Sequence, residues 1–199
     1  MKQFMKKFVL FTSLILTSPL FFLYKLTRSS TFFAGQAQLM ALVPGKVGSY
    51  LRVAYYCMTL KQCSTDGYIG FGTYFAHPDV ELGSGYYFGA YSIIGMVKFG
   101  NHAVIGSHVS ILSGKNQHGY TEIGKPILDQ PGVFTVLNIG SNCWVGNNVV
   151  IMADLGEHTV VAAGSVVTSR SEGFEVIGGN PAKVLKKIKS TSKNNEKYY

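Results

Sequence analysis

Residues 69–106, IGFGTYFAHPDVELGSGYYFGAYSIIGMVKFGNHAVIG, repeat a large apolar residue followed by a small one at intervals close to six residues. The pairing lapses and then resumes at residue 139. The pairs are Ile69-Gly70, Phe75-Ala76, Leu82-Gly83, Phe88-Gly89, Ile94-Gly95, Phe99-Gly100, Ile105-Gly106, Ile139-Gly140, Val145-Gly146, Leu155-Gly156 and Val161-Ala162. A short fixed period predicts a solenoid, because each unit forms one strand, whose large side chain points inward, and one tight corner at the small residue. We therefore predict an all-β parallel helix with three faces to each coil.

The period is broken at several places. One residue is inserted before Leu82 and one is missing before Phe99. A short turn, residues 151–154, precedes Leu155. These departures predict irregular corners. Residues 115–137, KNQHGYTEIGKPILDQPGVFTVL, are a much longer excursion, and an excursion of this length from a compact solenoid is usually functional.

Length and composition agree with one main β domain. The chain has 199 residues, of which 47% are hydrophobic, only 14% are charged and 23 are glycine. It is too apolar to be disordered and too rich in glycine to be mainly helical. We place the solenoid at residues 63–180, membrane-seeking and capping helices at 1–62, and a short basic helix with a tail at 181–199.

The net charge of +8 is concentrated at the two ends of the chain. Residues 1–65 contain no Asp or Glu. The C-terminal cations are Lys183, Lys186, Lys187, Lys189, Lys193 and Lys197. Basic clusters beside an apolar segment are typical of contact with phospholipid headgroups, and no nucleic-acid-binding motif accompanies them. We predict a membrane surface as partner, and no nucleic acid.

Residues 8–24, FVLFTSLILTSPLFFLY, are uncharged and lie between basic flanks. A signal peptide is one interpretation, although the small residues Gly35 and Ala37 lie far beyond the apolar run. Cations on both sides and the break at Pro19 favour a re-entrant or in-plane helix pair at the cytoplasmic face of the inner membrane over a simple span. Residues 36–60 predict short amphipathic helices broken at Pro44 and Gly45, which lie at the interface, cap the solenoid, or do both.

The repeat resembles that of the hexapeptide-repeat acyltransferases, over residues 66–188. The resemblance implies a left-handed β-helix, acetyl-CoA as co-substrate, and a homotrimer with active sites between subunits. The whole chain is most similar to the acetyltransferases of exopolysaccharide, capsule and O-antigen pathways, which implies transfer to a hydroxyl of a sugar or glycolipid. Two alternatives stay open: transfer to a small soluble acceptor, such as an antibiotic or nucleotide-linked amino sugar, and a non-catalytic scaffold.

His118 begins the excursion, within Ser113-Gly-Lys-Asn-Gln-His118-Gly. In related acetyltransferases a histidine on or beside the protruding loop is the general base, so the resemblance implies this role for His118. Imidazole exchanges protons near neutral pH and can take a proton from an acceptor hydroxyl that attacks the thioester directly. Asn116 and Gln117 are candidate substrate-binding residues that would help backbone amides to stabilise the oxyanion.

The run Ile139–Ile151, then Val161–Thr168, then Gly179–Lys183, resembles the coenzyme-A-binding end of these enzymes. The resemblance implies that one group of residues lines the pantetheine and adenine channel: Trp144, Gly146, Asn147, Ala163, Ser165 and Thr168. It implies that Arg170, Lys183 or Lys187 reaches the phosphates, which cations suit. For Gly146, Ala163 and Ser165 the alternative is structural, because tight corners require small residues whether or not a ligand binds.

Three histidines, His77, His102 and His108, raise the γ-class carbonic anhydrases as a remote alternative, because these use the same coil with a zinc ion. Their spacing does not match that family, and we expect no metal.

The cysteines are Cys57, Cys63 and Cys143. Their number is odd and their spacing is not that of a metal site, which predicts free thiols, with Cys143 as a small core residue.

Overall fold

The computed structural model describes residues 2–189 and consists of three helices followed by a parallel β-solenoid of about six coils. The helices are α1 (Lys2–Thr27), α2 (Ser30–Ala41) and α3 (Gly45–Thr59). In chain order the strands are β1 (Gln62–Cys63), β2 (Gly67–Ile69), β3 (Tyr74–Phe75), β4 (Glu81–Leu82), β5 (Tyr86–Phe88), β6 (Ile93–Ile94), β7 (Val97–Phe99), β8 (Val104–Ile105), β9 (Ser110–Ile111), β10 (Leu137–Ile139), β11 (Trp144–Val145), β12 (Val150–Ile151), β13 (Thr159–Val161), β14 (Val166–Val167), β15 (Glu175–Gly179) and β16 (Ala182–Lys187).

The strands stack into three faces. Face 1 runs β1-β4-β7-β10, face 2 runs β2-β5-β8-β11-β13-β15-β16, and face 3 runs β3-β6-β9-β12-β14. Leu155 and Ser171 continue face 1 as single bridges. The chain passes from face 1 to face 2 to face 3 in every coil, so we name the corners 1–2, 2–3 and 3–1. The predicted three-sided solenoid is confirmed.

The large residue of each repeat fills the prism, as the sequence predicts. Phe75, Phe88 and Phe99 are at most 3% exposed. Their rings contact edge to face, with centroids 5.3 Å and 5.1 Å apart. Further along the axis the core narrows to Ile and Val. Each buried side chain of this size contributes about 1.5–3 kcal/mol, so the core column is the main stabilising element.

All the predicted irregularities fall at corner 3–1. Five residues, 76–80, separate β3 from β4, whereas only two, 95–96, separate β6 from β7. The turn 152–154 and the long excursion leave the coil at this corner as well. Corners 1–2 and 2–3 keep the period, and so the solenoid is regular on two edges and elaborated on the third.

Helices α2 and α3 pack over the first coil, at the end of the prism where the sequence predicts a cap. Tyr55, Tyr56 and Phe33 are fully buried, and the Tyr56 ring lies 4.7 Å from that of Phe75. The guanidinium of buried Arg52 donates to three carbonyls, those of Met40, Val43 and Ile69. The break predicted at Pro44 and Gly45 is confirmed, since α2 ends at Ala41 and α3 begins at Gly45.

The break predicted at Pro19 is absent, because α1 continues through it from Lys2 to Thr27. A proline deprives the carbonyl four residues earlier of its helical donor. Here the Ser18 hydroxyl donates to that carbonyl, the one of Ile15, at 2.8 Å. The local hydrogen bond replaces the missing one, and α1 is one helix instead of a pair.

The predicted basic helix after Pro181 is wrong for the described residues, because Ala182–Lys187 form β16, antiparallel to β15. Strand β15 ends face 2 and would otherwise expose a row of unpaired backbone groups, which β16 satisfies. The buried carboxylate of Glu175 accepts from Ser171 Oγ at 2.8 Å and forms an ion pair with Lys187. Residues 190–199 of the predicted tail lie outside the described residues.

Candidate functional site

The excursion forms a folded loop at corner 3–1. It leaves after β9, contains a 3-10 turn at Ile127–Asp129, and returns at β10. The two arms of the loop pair through Val133 N donating to Asn116 O at 2.7 Å and Thr135 N donating to Ser113 O at 3.0 Å. The loop is therefore ordered by its own backbone.

A buried glutamine holds the far end of this loop. The Gln130 amide donates to the carbonyls of Glu122 and Lys125 at 3.1 and 2.9 Å, and its oxygen accepts from the Glu122 amide at 3.1 Å. Phe134 then packs towards His77, with ring centroids 6.2 Å apart. The loop consequently lies back along corner 3–1 towards the first coils.

His118 lies on the outgoing arm with an exposed side chain. Within the described part of the single chain, no hydrogen bond orients its ring. Asn116 is exposed too, and the Gln117 amide donates to Gly114 O at 3.1 Å. The three predicted residues thus share one short segment, accessible to a ligand from outside the loop.

Gly132 determines where that segment lies, and sequence reasoning missed it. A Cβ at Gly132 would lie 1.9 Å from Gln117 O and 2.8 Å from His118 N. Only glycine permits this approach of the two arms. The glycine sits in Pro131-Gly132, a pair that marks a turn in sequence, but its contact with a segment fourteen residues earlier could not be read from local pattern.

The predicted pantetheine-channel residues divide between several places. Gly146, Asn147 and Ala163 lie together at corner 2–3, where a Cβ on Gly146 would approach Ala163 N to 2.6 Å. Asn147 Oδ1 accepts from Ser107 N at 2.8 Å, and its side chain is otherwise exposed. Trp144 is on the outer surface of face 2 and is 57% exposed. Gly146, Asn147 and Ala163 therefore form a strip at corner 2–3 that a ligand can reach, with Trp144 beside it on face 2.

Ser165 and Thr168 lie elsewhere. Ser165 is 1% exposed, and its hydroxyl donates to Ala162 O at 2.6 Å and accepts from Gly179 N at 3.1 Å. The bond to Ala162 closes the corner itself and the bond from Gly179 ties it to the next coil, so the side chain serves the corner. Thr168 is half-buried at corner 3–1.

Two of the three candidate phosphate-binding residues lie around the same depression. Arg170 and Lys183 line one depression of about 170 Å³ at the C-terminal end of the solenoid. Lys187 instead forms the ion pair with Glu175. Burial raises the pKa of Glu175, but Lys187, the Ser171 hydroxyl and the Glu172 amide outweigh it, so that the pKa is lowered overall. Arg170 and Lys183 are therefore the better-placed pair for an anion.

The histidines of the zinc alternative lie on three different corners. His77 is at corner 3–1, His102 at corner 1–2 and His108 at corner 2–3. His102 and His108 have φ values of 58° and 57°, and Asn142 and Asn148 occupy the equivalent positions of the next coil with φ of 58°. Among the described residues, no group of three His, Cys, Asp or Glu side chains could hold a metal ion.

Comparison with known proteins gives short sequence matches and long structural ones. No protein-family model matches the chain. A protein of Staphylococcus aureus (strain MRSA252) named as an acetyltransferase is 44% identical over 54 residues, which are 26% of this chain and 27% of that protein. A Lysinibacillus sphaericus protein named as a macrolide acetyltransferase is 40% identical over 57 residues, 28% of this chain and 32% of its own length. The chain thus matches about a third or less of these relatives' lengths.

Three solved structures share most of the architecture. A hexapeptide-repeat acetyltransferase of Vibrio cholerae superposes with a TM-score of 0.68 at 19% identity, over 79% of this chain and 89% of that one. A maltose O-acetyltransferase of Clostridium difficile 630 gives 0.70 at 18% identity, over 79% and 86%. A galactoside acetyltransferase in complex with coenzyme A gives 0.66 at 18% identity, over 80% and 81%.

The three-faced coil with its six-residue repeat, together with the long loop at corner 3–1, defines a hexapeptide-repeat β-solenoid protein. More particularly, the chain has the left-handed parallel β-helix fold of the hexapeptide-repeat acetyltransferases, as the sequence resemblance implies. At these identities the structural likeness establishes the fold.

Proposed function

We propose that this protein transfers an acetyl group from acetyl-CoA to a hydroxyl of a sugar or glycolipid, with His118 as general base. The observation that carries the proposal is the placement of an accessible histidine on an ordered loop at the elaborated corner of this fold. The shared fold with a maltose O-acetyltransferase and a coenzyme-A-bound galactoside acetyltransferase supports the reaction class and the kind of acceptor.

The reaction needs no covalent intermediate on the enzyme. The His118 imidazole accepts the proton of the acceptor hydroxyl while the oxygen attacks the thioester carbonyl carbon. The carbon–sulfur bond then breaks, and the coenzyme A thiolate takes the proton from the imidazolium. The Asn116 side chain and loop amides would donate hydrogen bonds to the developing oxyanion. Arg170 and Lys183 supply positive charge for the phosphates of the co-substrate.

A homotrimer is part of this proposal. In one chain His118 lies at corner 3–1, whereas the strip of Gly146, Asn147 and Ala163 lies at corner 2–3. Two corners of one prism point in different directions, so a single site that uses both requires a neighbouring subunit. The exposed apolar residues of face 2 and of the loop, among them Trp144 at 57% and Leu128 at 83% exposure, support such packing. Loss of activity on dilution to monomers would agree with this assembly, and a fully active monomer would contradict it.

Attachment to the cytoplasmic membrane face completes the proposal. Helix α1 is long and apolar enough to cross a membrane. Its polarity is inverted: Ser13 and Thr17 face the protein and are at most 4% exposed, whereas Phe8 and Phe11 are about 60% exposed. Such a helix is stable in contact with lipid. The ion pair of Lys6 with Asp66 and the hydrogen bond from Gln36 Nε2 to Leu20 O tie it to the protein near both ends, which favours an in-plane orientation.

The membrane proposal is tested by flotation of the purified protein with liposomes containing anionic phospholipid. Replacing Phe8, Phe11 and Ile15 together by serine should abolish flotation, because these side chains lie on the exposed side of α1. The control is Thr12→Ser on the same helix, which should float like the wild type. Flotation of the triple variant at the wild-type level would contradict the proposal.

The catalytic proposal is tested by release of free coenzyme A from acetyl-CoA in the presence of maltose, galactosides and cell-envelope glycans. His118→Ala should lower turnover about 10²–10⁴-fold, the usual contribution of a general base. The matched control is His102→Asn, because Asn142 holds the equivalent corner of the next coil at the same φ of 58°. Near wild-type turnover of folded His118→Ala would refute the assignment.

A macrolide or other small soluble acceptor is the second candidate, favoured by the match to the Lysinibacillus sphaericus protein. Mass spectrometry of cell-surface glycans with and without the gene distinguishes the two, since only the first predicts a change in O-acetyl content. A non-catalytic scaffold would neither bind acetyl-CoA nor be stabilised by it against heat.

A further inference from the structure

Two of the three cysteines lie side by side where the cap meets the solenoid. Cys57 is in the last turn of α3, Cys63 is in β1, and their sulfur atoms are 3.2 Å apart. Both side chains are half-buried. The third cysteine, Cys143, is 1% exposed inside the prism, and its thiol donates to Gly156 O at 3.2 Å. Geometry thus singles out one pair among the three thiols.

The surroundings make the two thiols unequal. Cys57 donates to the Cys63 sulfur, and the Tyr86 hydroxyl lies 3.5 Å from that sulfur. The hydrogen bond with Cys57 and that with Tyr86 lower the pKa of Cys63 against the opposing effect of burial. The hydrogen bond with Cys63 and burial raise the pKa of Cys57. Because a thiolate is the attacking species in thiol chemistry, Cys63 is the nucleophile of the pair.

We propose that Cys57 and Cys63 are a disulfide-forming site that fastens the cap to the first coil when a low-molecular-weight disulfide is present. This inference goes beyond acetyl transfer and does not depend on it. It also modifies the expectation of free thiols, which holds for the reduced protein. The cysteine count is odd because Cys143 belongs to the core.

The chemistry is thiol–disulfide exchange in two steps. The Cys63 thiolate attacks one sulfur of the oxidant RS–SR, whose bond breaks and releases RS⁻, which is protonated to RSH. The Cys57 thiol then loses its proton and attacks the Cys63 sulfur of the mixed disulfide, releasing a second RS⁻. The net reaction converts two protein thiols and one RS–SR into one intramolecular disulfide and two RSH.

The bond would join helix α3 to strand β1 across the end of the helix. The bond closes the loop of residues 57–63 and so restricts the unfolded chain. This restriction should raise the melting temperature by roughly 5–9 °C for a protein of this size. Because α1 packs along α3, the bond also fixes α1 relative to the solenoid.

The test uses the full-length protein with oxidised glutathione, followed by thiol labelling after denaturation and peptide mapping. The sequence holds 3 cysteines, so the reduced protein should label at each of them and the oxidised one only at Cys143. Cys143→Ala is the matched control and should still form the bond. Cys57→Ser should instead accumulate a glutathione adduct at Cys63, and Cys63→Ser should form no intramolecular bond.

Several results would overturn the inference. Three free thiols after a glutathione treatment that fully oxidises a control dithiol peptide would exclude the site. A crosslink that involves Cys143 would show that Cys57 and Cys63 are not the pair that reacts. A glutathione adduct on Cys57 of Cys63→Ser that forms as fast as the adduct on Cys63 of Cys57→Ser would refute the order of attack.

Discussion

Gly132→Ala should impair catalysis while leaving the solenoid folded. The new Cβ would lie 1.9 Å from Gln117 O, whereas ordinary van der Waals contact begins at 3.4 Å, so the two loop arms must separate by about 1.5 Å. Gly132 is not among the positive-φ glycines, so the effect is purely steric. A displacement of about 1 Å at a reacting group costs about 10²-fold in rate, and we expect a loss of at least this size in kcat/KM.

The assay is release of free coenzyme A, together with the melting temperature and acetyl-CoA binding. The control is Gly124→Asn in the same loop, where a Cβ meets no atom within 4 Å and the φ is +85°, because asparagine is one of the residues that adopt positive φ most often after glycine. The loop lies outside the core column, so Gly132→Ala should keep the melting temperature within a few degrees and still bind acetyl-CoA. Wild-type kcat/KM in Gly132→Ala would refute the argument that this contact positions His118.

Further predictions concern stability. Phe88→Ala should lower the free energy of unfolding by about 3–5 kcal/mol in urea titrations, because it empties the centre of the aromatic column. Glu175→Gln should lower it by about 1–3 kcal/mol, because the ion pair with Lys187 is lost at a buried site. The lowered pKa of Glu175 stabilises the fold above its unfolded value of about 4.3, and this contribution disappears as the pH falls through the folded value. Wild type should therefore lose its advantage over Glu175→Gln on acidification; an unchanged difference at low pH would contradict the role given to the carboxylate.

The fold could be predicted from sequence because the information is local and repeated. Each aliphatic-small pair reports both an inward side chain and a corner, and many such pairs at one period leave a single architecture. The cap could be anticipated too, since the open end of an apolar prism must be covered. The error at residues 182–187 arose where no repeat remained: a basic segment after a proline is compatible with a helix or a strand, and the unpaired edge of β15 decided the outcome.

The site was only partly predictable. His118, Asn116 and Gln117 are one short segment in both sequence and space. In contrast, the role of Gly132 depends on the crossing of two loop arms, and the tie between Glu175 and Lys187 depends on a hairpin. Ser165 illustrates the opposite case, because a residue suited to ligand binding by pattern has both hydrogen bonds of its hydroxyl engaged within the corner.

The amino-acid sequence by itself determined the coil, the extent of the excursion and the apolar character of the N-terminal segment, because periodicity and hydrophobicity are properties of neighbouring residues. Only the tertiary structure showed that every departure from the period falls on one corner, that α1 turns Ser13 and Thr17 inward, and that Cys57 contacts Cys63. These facts depend on which residues the winding of the chain brings together. A distance between atoms far apart in sequence is determined by packing, which no local pattern records.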